Sequence, residues 1–365
     1  MFAQESYPRI AKADLIAYAA AIFQAHHVST QDARTAAEVL VASDLRGIES
    51  HGVARLEQYV KAIDAGVLDP RAQPEIVRQS AATALIDAHN GLGHVAGVYA
   101  MRLAIAKAQA ADVGVVSVCH SNHYGIAGYY AMMALEHNLI GLSLTDSSPL
   151  VAPTGGRTAL LGTNPIAFAA PSGGPIPFVL DMATSTVPRG RIEVAARKNL
   201  PLAHGWSLDA AGRPTLDAQA ALEGALLPLG GPAESAGYKG YGLAVMVEIL
   251  TGVLSGSLYG PLIARLWETS RPSDLGQFFL ALRPDAFGSL EDFQQRLQHL
   301  QSLLKNGPLA AGEAEILLAG EKEARNTERN RRDGIPVHPT VVGTLEHLGA
   351  QAGLGQLPRV NSPAA

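Results

Sequence analysis

What the chain lacks narrows the possibilities first. A lone Cys119 in 365 residues excludes an intramolecular disulfide and any metal site built on several cysteines. There is no basic excess: the formal charge of −5 and a pI near 6.2 leave no electrostatic footprint for nucleic acid. Apolar stretches are broken by Gly, Asp or Lys well short of the roughly 18 residues a membrane helix needs. The opening MFAQESYP has neither a basic start nor an apolar core, so no secretory signal is expected. Internal repeats and low-complexity segments are also missing. These absences point to a soluble cytoplasmic protein with no nucleic-acid or membrane partner. What is present is ample apolar content, 47 %, over a length suited to about two domains.

Patterning predicts paired amphipathic helices over 11–28 and 30–46, with Ser29 or Thr30 starting the second. Strands are expected at Thr83–Asp87, Gly114–Val118, Leu139–Leu144, 166–170, 176–181 and Gly276–Leu282, and helices at 94–111, 126–138, 290–304 and Gly242–Leu254, the last buried. The β-α-β-α-β alternation argues for an α/β domain with some parallel pairing. The Gly- and Pro-rich stretch 150–240 carries more loop than a doubly wound sheet needs, and long loops are often functional. The charge-dense run Glu321–Asp333 reads as a solvated helix or loop. We divide the chain into a helical N-terminal domain (1–74), an α/β domain (75–350) whose C-terminal helices can pack back on the first, and a tail (351–365) expected to fray over 354–365.

The most informative stretch is Asp44–Val60. Gly47 can close one helix and Ser50 cap the next, so His51 is expected to open a new helix. At about 100° per residue, His51, Arg55 and Tyr59 then fall within roughly 80° of each other. Val53, Leu56, Val60 and Ile63 cluster on another face. A proton-transferring imidazole, a carboxylate-binding guanidinium and a phenol on one stripe suit an enzyme acting on a small carboxylate. Adjacent helical Ser50 and His51 would diverge by about 100°, which argues against a nucleophile–base pair, and no GxSxG elbow is present.

Other segments carry both a functional and a bland reading. Gly91–Gly97 has GxGxxxG rather than GxGxxG spacing, and Val118-Cys-His stands where an acidic residue would bind ribose, so close packing explains its glycines as well as a nucleotide does. His120 and His123 lack a convincing third metal ligand, so zinc is discounted. They suit acid–base work or a hydrogen-bonded turn. The turns 151–156 and 162–165 offer free N–H groups to anions, although such turns are common. Asp181 ends an apolar strand before small residues that would admit a flat ring or ribose, or else serves as a helix cap. Lys239 sits in a glycine-rich loop, where it could meet a phosphate, a carboxylate or only solvent.

In register, Ser50-His-Gly, Ser121-Asn-His-Tyr-Gly125, Gly162-Thr-Asn-Pro165, Asp181-Met-Ala-Thr184, Lys239-Gly-Tyr-Gly242 and Gly320-Glu321 resemble the type-2 malate/L-lactate dehydrogenase family over about residues 10–350. Its relatives include L-sulfolactate and ureidoglycolate dehydrogenases, 2,3-diketo-L-gulonate reductase and Δ1-piperideine-2-carboxylate reductase. The resemblance implies an α/β fold: a non-Rossmann NAD(P)-binding domain with a mixed sheet flanked by helices, plus a helical N-terminal domain, in a homodimer. It implies NAD or NADP as cofactor and a small 2-oxo or 2-hydroxy acid as substrate. It carries acid–base work onto His51 or His123 and carboxylate binding onto Arg55. Cofactor contacts carry over to Ser147, Asp181, Met182, Ala183, Lys239, Gly240, Gly320, Glu321 and Lys322, and no metal is expected. Two departures, the apparent insertion Ala233–Gly237 and Ala319 in place of a proline, fall on cofactor segments. A cyclic-imine reductase and a non-catalytic binding protein on the same scaffold remain as alternative readings.

Overall fold

The computed structural model describes residues 7–265 and 268–360. Helices α1 (Lys12–Ala25) and α2 (Thr30–Leu45) pair through Leu15, Ile22, Phe23, Ala33 and Leu40, all buried. Ser29 caps α2 by accepting the Asp32 N–H at 3.2 Å. The chain does not then enter a helix at His51. Two 3₁₀ turns, Glu49–His51 and Val53–Arg55, come first, and α3 spans Leu56–Asp64. The cause lies in Asp44, whose Oδ2 accepts the Val53 N–H at 2.8 Å. The second turn is thus capped from α2, and Ser50 makes no cap.

The remaining strands are β1 (Arg9–Ile10), β2 (Glu75–Gln79), β3 (Thr83–Asp87), β4 (Val113–Ser121), β5 (Ile140–Thr145), β6 (Ile166–Ala170), β7 (Phe178–Met182), β8 (Ser207–Leu208), β9 (Ala225–Leu226), β10 (Leu275–Leu282) and β11 (Ile335–Pro336). Seven form one mixed sheet in the order β2-β3-β4-β10-β5-β6-β7. Only β3–β4 is parallel. Strand β10 runs antiparallel to both β4 and β5, and β6 antiparallel to both β5 and β7. Strands β4, β5 and β7 therefore point the same way, and their C-terminal ends share one edge of the sheet.

Helices α4 (Gly93–Ala111) and α5 (Ala127–Met133) cover one face around Met101, Val116, Tyr130 and Phe279. The glycines of the 91–97 segment serve this packing. A Cβ on Gly93 would lie 2.0 Å from the Asn122 carbonyl, and one on Gly97 would lie 2.7 Å from the Tyr130 ring. Further on come α6 (Arg189–Arg197), α7 (Ala218–Glu223), α8 (Gly237–Glu248), α9 (Leu290–Lys305), α10 (Glu321–Asp333) and α11 (Pro339–Gln351). Helix α8 begins five residues before the expected Gly242, because Ala236 at φ 68° ends the turn Ala233–Ser235 and starts the helix. The expectation of burial here is corrected: Met246, Ile249, Val253 and Leu254 are exposed, while Ala244, Val247 and Glu248 face inward.

Residues of α11 (Val342, Leu345, Leu348) join the α1–α3 core. The segment after α11 is anchored rather than frayed. Leu357 is buried, the Tyr18 hydroxyl donates to the Gly355 carbonyl, and the Val360 N–H donates to the Arg9 carbonyl. Residues 361–365 of the expected tail lie outside the described residues. No described helix is long and apolar enough to cross a membrane.

Candidate active site

The turn that carries His51 is set by close packing. A Cβ on Gly52 would lie 1.9 Å from Asp44 Oδ1, so only glycine lets the chain pass over that carboxyl. Burial pushes the Asp44 carboxyl up to about 8, Glu49 adds to the rise, and the Val53 N–H opposes it. From this turn Arg55 donates through Nε to the Ser50 carbonyl at 2.6 Å and through Nη1 to Gln58 Oε1 at 3.2 Å. Ser50 Oγ and His51 Nδ1 are 2.9 Å apart. The expected divergence of these two side chains assumed a helix, which the 3₁₀ turn is not. The contact fixes the ring and leaves Nε2 on its opposite side.

His123, just past the end of β4, stacks on His51 with ring centroids 5.6 Å apart and planes at 22°. Its Nδ1 lies 2.5 Å from the Tyr59 hydroxyl and 3.4 Å from the Gly125 N–H. A backbone N–H can only donate, so Nδ1 accepts, and the proton of the neutral ring sits on Nε2. Tyr59 thus differs from expectation. It shares no exposed stripe with Arg55 but is fully buried between Phe23 and His94, supporting His123 from beneath. Burial keeps its phenol protonated by raising its pKa, against a smaller opposite pull from Arg55.

Burial also holds the imidazoles neutral. His51 is lowered to about 4, with the Arg55 charge adding to burial. His123 falls well below its usual value through burial and then His51, Arg55 and His94. His94, completely buried, is lowered to about 3. His120 does not join this group. At φ 50° it turns toward Asp87, with Nδ1 3.1 Å from Oδ2.

Contacts link most of the expected cofactor segments. Ser147 Oγ accepts the Thr163 N–H at 3.0 Å, and Asn164 Oδ1 accepts the Ser147 N–H at 3.1 Å. Thr163 and Thr184 are joined by a backbone hydrogen bond, as are Thr184 and Leu229. Gly240 packs on Leu229, where a Cβ would come within 2.3 Å of the carbonyl oxygen. Asp181 Oδ2 accepts the Gly128 N–H at 2.8 Å, and burial lifts this carboxyl to about 6 against the pull of that N–H and of Arg46. Met182 and Ala183 follow, both half-buried. Gly320, at φ 86°, packs against Val179 of β7.

Lys239 lies in the first turn of α8 rather than in a loop before it. Lys239 and Lys322 are exposed, and neither ammonium has a partner among the described residues. Glu321 is already engaged: Lys305 and Arg325 pair with it and the Leu318 N–H donates to it. Lys305 leads in holding its carboxyl down to about 2.

Sequence reasoning missed Asp44, His94 and a buried polar cluster behind Ser147. In that cluster Glu248 accepts from Asn164 Nδ2 and the Gly260 N–H, and Asp146 accepts from Thr251 Oγ1 and the Gly276 N–H. The available signal was a lone carboxylate within an apolar run, as at Glu248. A separate cavity of about 310 Å³, lined by Asn199, Leu200, Leu216 and Asp217, holds none of these groups.

The sequence profile described as malate/L-lactate dehydrogenase matches residues 10–346. The chain is 41 % identical to the malate dehydrogenase of Pyrococcus abyssi over 355 residues, 97 % of each protein. It is 40 % identical to the L-sulfolactate dehydrogenase of Methanocaldococcus jannaschii over 327 residues, 90 % of this chain and 92 % of that protein. The solved malate dehydrogenase structure from Pyrococcus horikoshii superposes with a TM-score of 0.89 at 39 % identity, covering 97 % of this chain and 98 % of that one. This chain belongs to the malate/L-lactate dehydrogenase family, as an oxidoreductase acting on CH–OH donors.

Proposed function

We propose that the protein transfers hydride reversibly between a nicotinamide cofactor, NAD or NADP, and C2 of a small 2-oxo or 2-hydroxy acid. The observation that carries this reading is the pair of stacked, neutral imidazoles, His51 and His123, beside the Arg55 guanidinium. Arg55 spends Nε and Nη1 on protein oxygens, which orients its remaining N–H groups for a carboxylate. His123 directs Nε2–H at the substrate oxygen and stabilises negative charge developing there. In the tautomer that places the His51 proton on Nδ1, toward Ser50 Oγ, the Nε2 lone pair takes the hydroxyl proton on oxidation and returns it on reduction. Such positioned proton transfer contributes about 10²–10⁴-fold.

The residues present suit the cofactor. Lys239 offers a phosphate an exposed cation that has no partner among the described residues. Asp181 has one carboxylate oxygen bound to Gly128 and the other for a ribose hydroxyl. Glu321, with its oxygens engaged, supports the Gly320 turn beside Lys322. When bound, the nicotinamide supplies or accepts the hydride. Its domain is non-Rossmann, since only one strand pair of the sheet is parallel, and the working unit is a homodimer with a helical N-terminal domain. An absorbance screen at the nicotinamide wavelength, crossing both cofactors with 2-oxo acids and cyclic imines, tests this. Turnover of a 2-oxo acid supports the reading. Turnover of imines alone, or no binding of either cofactor, overturns it.

A further inference from the structure

We propose that Asp87, Cys119 and His120 form a binding site for a divalent transition-metal ion of zinc or cobalt type, at the strand ends of β3 and β4. A carboxylate oxygen, the Cys119 sulfur and a His120 ring nitrogen all lie within 4.8 Å of one another. The parallel register pairs Asp87 directly with Cys119. In a regular strand His120 would point to the opposite face. Its φ of 50° swings it back toward Asp87, and its N–H is held by Ser257 Oγ at 2.8 Å.

Tetrahedral zinc with bonds of about 2.0–2.3 Å sets its donors roughly 3.3–3.6 Å apart. The present spacing of up to 4.8 Å is about 1 Å wider than that, so the donors must draw together for an ion to bind. One sulfur, one imidazole and one carboxylate match zinc or cobalt rather than magnesium or calcium, which prefer oxygen alone. His89 stands ready at the rim, with Nδ1 3.6 Å from Asp87 Oδ1.

The surroundings favour a cation. Asp274 Oδ1 is buried without a hydrogen-bond partner among the described residues, and the Asp274 charge reaches Cys119 together with that of Asp87. Coordination replaces the thiol proton: Cys–SH and M²⁺ give Cys–S–M⁺ and H⁺ released to solvent. His120 keeps one proton, moved from Nδ1 to the solvent-facing Nε2. The ion would tie β3 to β4 just before Ser121–His123, steadying the strand end without touching substrate.

The test uses the full chain, dialysed against a chelator and titrated with Co²⁺. We expect a thiolate-to-cobalt absorption band saturating at about one equivalent per chain, displaced by Zn²⁺. Zn²⁺ should also raise Tm. Cys119→Ser should abolish the band, and His120→Ala, a change at an exposed side chain, should weaken binding about tenfold or more. A native far-UV spectrum of each variant confirms folding. Absence of a thiolate band in the wild type, or the same binding and Tm rise in His120→Ala, overturns the proposal.

Discussion

Replacing Asp44 with asparagine changes one buried group and leaves its acceptor oxygen in place. Asp44 lies beneath the His51 turn, 7 % exposed, with Oδ2 accepting from Val53. Burial has pushed its carboxyl from 3.8 up to about 8. The folded protein therefore keeps this proton over a range where the unfolded chain has lost it. The stability Asp44 contributes is fully present below about pH 3.8 and is lost as pH rises through about 8. The asparagine amide cannot ionise and mimics the protonated form. The stability of Asp44→Asn relative to wild type should climb with pH, by about 3 kcal/mol between pH 5 and pH 7 at about 1.36 kcal/mol per decade, and level off above about 8. Urea unfolding followed by circular dichroism across this range measures the difference. Parallel curves for the two proteins would refute the buried, proton-holding carboxyl.

Tyr59→Phe removes the 2.5 Å contact to His123 and leaves only the Gly125 N–H at 3.4 Å. Losing one buried hydrogen bond, worth about 1 kcal/mol, should lower kcat about fivefold; an unchanged kcat contradicts the support role. Arg55→Lys keeps charge but loses the planar fork, so KM for the acid should rise about tenfold or more with a smaller change in kcat. Equal KM values in steady-state assays would remove Arg55 from the substrate. Lys239→Ala touches an exposed ammonium with no partner among the described residues. It should raise KM for the cofactor about tenfold at unchanged Tm, reflecting one lost charge-assisted contact; an unaltered cofactor KM argues against phosphate contact.

Elements set by local pattern were legible: the Ser29-capped pair α1–α2, the strands β3 to β7, and helix α4. The sheet order was not, because β10 enters between β4 and β5 from more than a hundred residues downstream and no local periodicity encodes that pairing. At the site, residue identities were readable but their roles depended on distant partners. His51 sits on a 3₁₀ turn because of Asp44, and Tyr59 is committed to His123, 64 positions away. Glu321 looked available from its motif, yet Lys305 and Arg325 hold it. The burial of His94 and the engagement of Glu248 follow from packing that one strand or helix cannot reveal.

Stopped-flow decay of nicotinamide absorbance with a 2-oxo acid, in His51→Ala and His123→Ala beside wild type, probes the paired imidazoles most directly. We expect hydride transfer to slow about 10²-fold or more in at least one variant while cofactor Kd holds steady. Near-wild-type rates in both would show that the chemistry lies elsewhere.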